Sequence, residues 1–152
     1  MVIGIFGESC TGKSTQAEKI AACLPCEILT GKDYLRLAKN ENIAKAMFQK
    51  KLAAAVNGDN IIYVISEMEH LPLLPEGALR ILVTADLELI KDRFAQRMRG
   101  NLPAPVAAML EKKHGCFDAQ PHDIHVISGE TDIDSVVETV VGKCEPKIYT
   151  QE

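Results

Sequence analysis

The stretch VIGIFGESCTGKST, residues 2–15, decides the fold of this 152-residue chain. Five apolar residues run straight into Gly7, and a second glycine follows at Gly12, ahead of Lys13 and Ser14. The apolar half reads as a short buried strand. Behind the loop, Ala17, Ile20, Ala21 and Leu24 recur at helical spacing until Pro25 stops them, which predicts an amphipathic helix. The glycines let the backbone between strand and helix curl until its N–H groups converge, and the positive end of the helix dipole faces the same point. That is a cradle for an anion.

The spacing Gly7-x4-Gly12-Lys13-Ser14 matches the P-loop pattern, in the strand-loop-helix context that gives the pattern meaning. The expected ligands are ATP and Mg2+. Lys13 reaches for the β- and γ-phosphates, the Ser14 hydroxyl ligates the metal, and Gly7, Ser9, Cys10, Thr11, Gly12 and Thr15 complete the cradle. Cys10 raises the question of a nucleophile. A cysteine phosphatase carries C-x5-R, and here Gln16 stands where the arginine is required. Without a fixed guanidinium the phosphoryl group loses its main clamp. Cys10 is therefore expected to be structural, with a thiol open to alkylating agents.

Composition sets the outer limits. The chain is long enough for one domain with a real core. Its net charge of −4 argues against a broad nucleic-acid surface, although a local basic pocket for a small anion fits within it. The apolar run Val2–Phe6 is too short for a signal-peptide core, and no stretch approaches the roughly 20 apolar residues of a spanning helix. A cytoplasmic protein is expected, without a membrane partner, and its five cysteines read as reduced thiols.

Outward from the loop, strand and helix patterns alternate to the end. Strands are predicted at 27–30, 60–66, 79–85 and 123–128. Helices are predicted over 33–39, over 42–56, from Asp86 with Leu87, Ile90, Phe94 and Met98 inward, over 106–114, and from a Thr131-x-x-Asp134 capping box onward. The polar tail 144–152 is expected to fray. Five strands separated by helices imply a parallel α/β sheet covered on both faces, a three-layer P-loop NTPase fold.

With these patterns in place, the chain resembles the small P-loop kinases of the nucleoside monophosphate kinase-like superfamily, which includes the adenylate, cytidylate, shikimate and gluconate kinases. The resemblance covers roughly residues 1–143 and implies one kinase domain, strand order 2-3-1-4-5 and a short lid at about 97–115. The stretch ILTGKDYLR (28–36) resembles the nucleotide kinases' Thr-Gly-Asp-x-Leu-Arg, with Lys32 as an extra residue. This implies Asp33 and Arg36 as acceptor-site residues, with Asp33 also orienting or deprotonating the acceptor hydroxyl. DRFAQRMRG (92–100) resembles the helix leading into the lid, so Arg93 and Arg97 are the catalytic arginines it implies, with Lys13. The loop 128–131, at Gly129, occupies the place where such kinases hold adenine. Glu67, after the third strand, is the expected acidic partner of Mg2+, with Ser66 and Asp33 as alternatives.

Two lesser patterns carry less. Cys23-x-x-Cys26 sits at a helix end, not a helix start, and lacks the second pair of a zinc site. His122 and His125 are expected to be split by strand alternation. The sequence therefore points to an ATP- and Mg2+-dependent phosphotransferase, monomeric or homodimeric. Its small-molecule acceptor would be a nucleoside or nucleotide, or a polar metabolite such as a sugar acid. The rival is a nucleotide-binding regulatory or assembly module with little or no transfer.

Overall fold

A computed structural model describes residues 1–144; the predicted tail otherwise lies outside the described residues. The elements run β1 (Val2–Phe6), α1 (Lys13–Cys23), β2 (Glu27–Thr30), α2 (Glu41–Ala55), β3 (Ile61–Ile65), β4 (Leu79–Thr84), α3 (Leu87–Arg97), α4 (Ala104–Lys113), β5 (Ile124–Ile127) and α5 (Ile133–Cys144). Short 3-10 turns at Asp33–Arg36 and Met68–Leu73 follow β2 and β3. The segment predicted as a helix over 33–39 is only the first of these turns.

All strand pairs are parallel, in the order β2-β3-β1-β4-β5. This is the P-loop kinase arrangement expected from the resemblance. Because both faces of a parallel sheet are covered, its strands bury side chains in both directions. Val2 and Phe6 of β1 and Tyr63 and Ile65 of β3 pack with Tyr34, Phe48 and Leu52 on one side. Ile3, Ile5, Ile62, Val64, Ile81 and Val83 meet Ile20, Val136 and Val140 on the other. Phe48 stands edge-on to Tyr63 with ring centroids 4.8 Å apart, the geometry aromatic pairs prefer.

The strand order positions the site. β1 lies between β3 and β4, with Phe6 level with Ile65 on one side and Leu82 on the other. From β1 the chain passes to β2 and β3 on one side and then crosses from β3 to β4 on the other, so a crevice opens at the carboxyl ends of these strands. The loop after β1 fills it. Gly7 is required there by close approach: a Cβ at this position would sit 2.1 Å from the Val83 carbonyl oxygen. Gly12, at φ +104°, takes the left-handed turn into α1 that other residues rarely adopt.

Two local expectations are corrected. The predicted capping box at Thr131 does not form, because its hydroxyl turns back and accepts from the Ile127 N–H at 2.8 Å. Asp132 takes over, its carboxylate accepting from the Asp134 N–H at 3.1 Å and the Ser135 hydroxyl at 3.0 Å. His122 and His125 are not split: their rings lie 5.6 Å apart on one cavity, because β5 begins only at Ile124 and leaves His122 outside the alternation.

Candidate active site

The phosphate loop is organised around Glu8. Its backbone carbonyl accepts from Thr11 Oγ1 at 2.9 Å and from the Lys13 ammonium. Lys13 thus lies folded over the loop. Burial pushes its pKa down to about 8, with the Arg97 charge adding to the depression and Cys10, Glu8 and Glu67 opposing it. A phosphate would reverse this by supplying the missing negative charge.

Two cavities meet at the loop. One of about 130 Å3 is lined by Ser9, Lys13, Ser14, Thr15, Ser66 and Arg97, among others. It lies at the first turn of α1, where unpaired N–H groups and the helix dipole favour an anion. The second, of about 490 Å3, runs from Gly12 and Thr15 past Val83, Val126 and Gly129 to Ile133. Cys10, Gly12, Thr15 and Arg97 line both, so the two cavities adjoin along the loop, and the larger extends to the turn after β5.

The two arginines divide. Arg93 donates to the Cys10 carbonyl at 3.0 Å and to Ser128 Oγ at 2.9 Å, tying the loop to the end of β5. Arg97, one turn on, reaches both cavities and makes no ion pair among the described residues. Ser128 was not singled out by sequence reasoning; its hydroxyl is ordinary until Arg93 finds it 35 residues away.

Cys10 answers the question it raised. It is 5 % exposed and packs in an apolar cluster with Ala85, Ile90 and Leu110, under α3 and α4. Its backbone is left-handed, φ 64°, the conformation in which a glycine costs nothing. The thiol is a packing group, and its expected openness to alkylation does not fit this burial. The Cys23/Cys26 pair is unlinked, and Cys26 Sγ lies 2.8 Å from the Leu24 carbonyl.

The remaining predicted residues stand apart from the loop cavities. Asp33 Oδ2 accepts from the Thr30 N–H at 2.7 Å, and its other oxygen lies 3.5 Å from Arg36. Both line a separate cavity of about 150 Å3 with Tyr34 and Phe48. Glu67 is half-exposed and pairs with Lys113 at 3.7 Å, whereas Ser66 beside it does line the phosphate cavity. Among the described residues no three His, Cys, Asp or Glu side chains converge on a metal position. A magnesium ion held by one hydroxyl, phosphate oxygens and water fits that donor set, because Mg2+ keeps several waters and borrows ligands from its nucleotide.

No family model matches the chain. A shikimate kinase of Pelotomaculum thermopropionicum is 26% identical, the match spanning 93% of this chain and 92% of that protein. Among solved structures, a gluconokinase from Sinorhizobium meliloti superposes with a TM-score of 0.60 at 13% identity, covering 99% of this chain and 97% of that one. A shikimate kinase from Acinetobacter baumannii, solved in complex with shikimate, gives 0.62 at 10% identity over 99% and 95%. The structural matches carry the fold, and the first carries a full-length relationship in sequence. With the loop geometry, they define a P-loop phosphotransferase. Within that class the chain is similar to the shikimate and gluconate kinases.

Proposed function

We propose that the chain transfers the γ-phosphoryl group of ATP, in the presence of Mg2+, to a hydroxyl of a small hydroxylated metabolite. The observation that carries this reading is the pair of adjoining cavities at the loop, a small one lined by Lys13, Ser14 and Arg97 and a larger one that reaches the Gly129 turn. The larger cavity, at about 490 Å3, falls within the size range of ordinary ligand sites. Its apolar walls, Val83, Val126 and Ile133, suit the faces of a nucleobase.

In this reading the loop amides and Lys13 hold the phosphates. Arg97 places a guanidinium where charge spreads over the equatorial oxygens, and phosphoryl transfer depends mainly on such positioning and charge. Arg93 braces the loop against the turn after β5. Ser14 would hold Mg2+, with Glu67 or Ser66 acting through its waters; the ion supplies charge neutralisation between the β- and γ-phosphates. Asp33 and Arg36 remain the proposed acceptor residues. A hydroxylated carboxylic acid is the favoured acceptor, because the relatives are a shikimate kinase and a gluconokinase by name. A nucleoside or nucleotide is the second choice.

The test is 31P NMR of the protein with Mg2+-ATP and separate pools of hydroxy acids, nucleosides and nucleoside monophosphates, with Lys13→Ala as control. A phosphoester resonance that appears with one pool and vanishes in the variant supports the reading. Saturable ATP binding with no transfer to any pool would replace it with a nucleotide-binding regulatory module.

A further inference from the structure

Glu8 occupies a position that the loop motif leaves open, yet the structure uses it twice. Its backbone carbonyl holds Lys13 and Thr11, as described. Its side chain, only 9 % exposed, reaches the other way. One carboxylate oxygen accepts from the Gly115 N–H at 2.9 Å, and the other lies 3.1 Å from His114 Nδ1. These partners are 106 and 107 residues away, at the turn that ends α4. A single residue thus joins the phosphate-binding lysine to the root of the segment between α3 and β5.

The surroundings make this joint directional. Two residues on, Cys10 packs against Leu110 of the same helix, so the loop and α4 share an apolar contact beside the polar one. The nearby Lys113–Glu67 pair has both side chains about half exposed and adds little hold of its own. Hydrogen bonds to a sheltered carboxylate are about twice as strong as neutral ones. The Glu8 clasp is therefore the main polar tie between loop and helix. When phosphates enter the loop, Lys13 must exchange the Glu8 carbonyl for phosphate oxygens, and that exchange is made at the residue whose side chain grips α4.

Resting on the kinase reading above, we propose that Glu8 is a positioning residue that couples the placement of α4 to occupancy of the phosphate loop. Its carboxylate touches neither nucleotide cavity, since Glu8 lines neither of them. It acts through His114 and Gly115 on one side and Lys13 on the other.

The experiment is hydrogen exchange of the full chain by mass spectrometry, with and without Mg2+-ATP, following residues 104–116 in the wild type, Glu8→Ala, Glu8→Gln and His114→Ala. In the wild type, nucleotide slows exchange over this segment. Glu8→Ala abolishes that response, while Glu8→Gln, which keeps an oxygen for the Gly115 N–H, retains most of it. His114→Ala, which spares the loop itself, gives an intermediate response and carries the test should the Glu8 variants unfold. Misplacement of reacting groups by about 1 Å can cost 100-fold in rate, so Glu8→Ala is expected to lower kcat about tenfold while nucleotide Kd stays within about twofold. A wild-type segment indifferent to nucleotide, or an equal response in Glu8→Ala, overturns the proposal. Coupled exchange without phosphoryl transfer to any acceptor supports the clasp and sinks only the kinase reading.

Discussion

The Arg93 guanidinium donates to the carbonyl oxygen of Cys10 at 3.0 Å, joining α3 to the phosphate loop across 83 residues of chain. This bond, with the one to Ser128, commits Arg93 to the scaffold and leaves Arg97 as the cation facing both cavities. The two substitutions should therefore fail differently. Arg97→Ala is expected to lower kcat by about 100-fold or more, as loss of a transition-state arginine does, with little change in nucleotide Kd. Arg93→Ala should instead weaken nucleotide binding about tenfold by releasing the loop from the turn after β5. Steady-state kinetics beside calorimetric Kd values separate the two, and identical profiles would contradict the division.

Lys13 provides a pH signature. With its pKa pushed down to about 8 by burial, the free protein loses this positive charge as the pH rises through 8. Phosphates restore it, so nucleotide binding above pH 8 should take up a proton. Calorimetry at pH 8.5 in two buffers of different ionisation enthalpy reads the uptake directly, and Lys13→Met removes it. For folding the sign is opposite to that of a paired lysine. The buried ammonium destabilises the fold below pH 8, and the penalty fades as the pH rises from 8 towards the ordinary value of 10.5.

Cys10 should behave as a packed side chain. Maleimide labelling followed by mass spectrometry is expected to modify exposed Cys23 well before Cys10 in the native protein. Cys10→Ser should keep phosphoryl transfer within about threefold, a change too small for loss of a nucleophile. Complete loss of transfer in a folded Cys10→Ser protein would return the thiol to the chemistry.

Among the described residues, His70, 2 % exposed, has no hydrogen-bond partner at either ring nitrogen: the Glu69 carboxylate stays 3.9 Å away, and Tyr34 stands edge-on to the ring at 5.9 Å. Replacing an unpartnered buried polar group with an apolar one removes a desolvation cost of about 1–3 kcal/mol. His70→Leu is therefore expected to raise the urea midpoint, by about 1 kcal/mol of stability once the change in shape is subtracted. A fall in the midpoint would mean that the imidazole is satisfied in solution.

Much of this molecule is written locally, and that part was readable. β1 and β2 fall at 2–6 and 27–30 as expected, because runs of apolar and β-branched residues bounded by glycine or proline leave little choice. The strand order came from resemblance to known kinases, since nothing local says that β1 lies between β3 and β4. What escaped depends on distant partners. Glu8 sits at an unassigned motif position, and its role exists only because the turn at Gly115 arrives beside it. Periodicity overstated the buried face of α3: Ile90 is buried, whereas Met98 is 37 % exposed, because α3 ends at Arg97 and the chain turns away at Arg99 in a left-handed conformation. Side-chain spacing marks a face but not the length over which a neighbour covers it.

The position of β1 at the centre of the sheet has a consequence for how the protein comes into being. The strand that carries the phosphate loop is synthesised well before its hydrogen-bonding partners, which lie at 61–65 and 79–82. At about 5–20 residues per second, translation leaves β1 unpaired for several seconds before β3 and β4 follow. The loop needs both neighbours: its first amide bonds to the Ile65 carbonyl at 3.2 Å, and Gly7 presses against Val83. A nascent chain thus carries its complete binding motif long before it can grip a nucleotide. Ligand capture is thereby reserved for chains whose central strands have already closed.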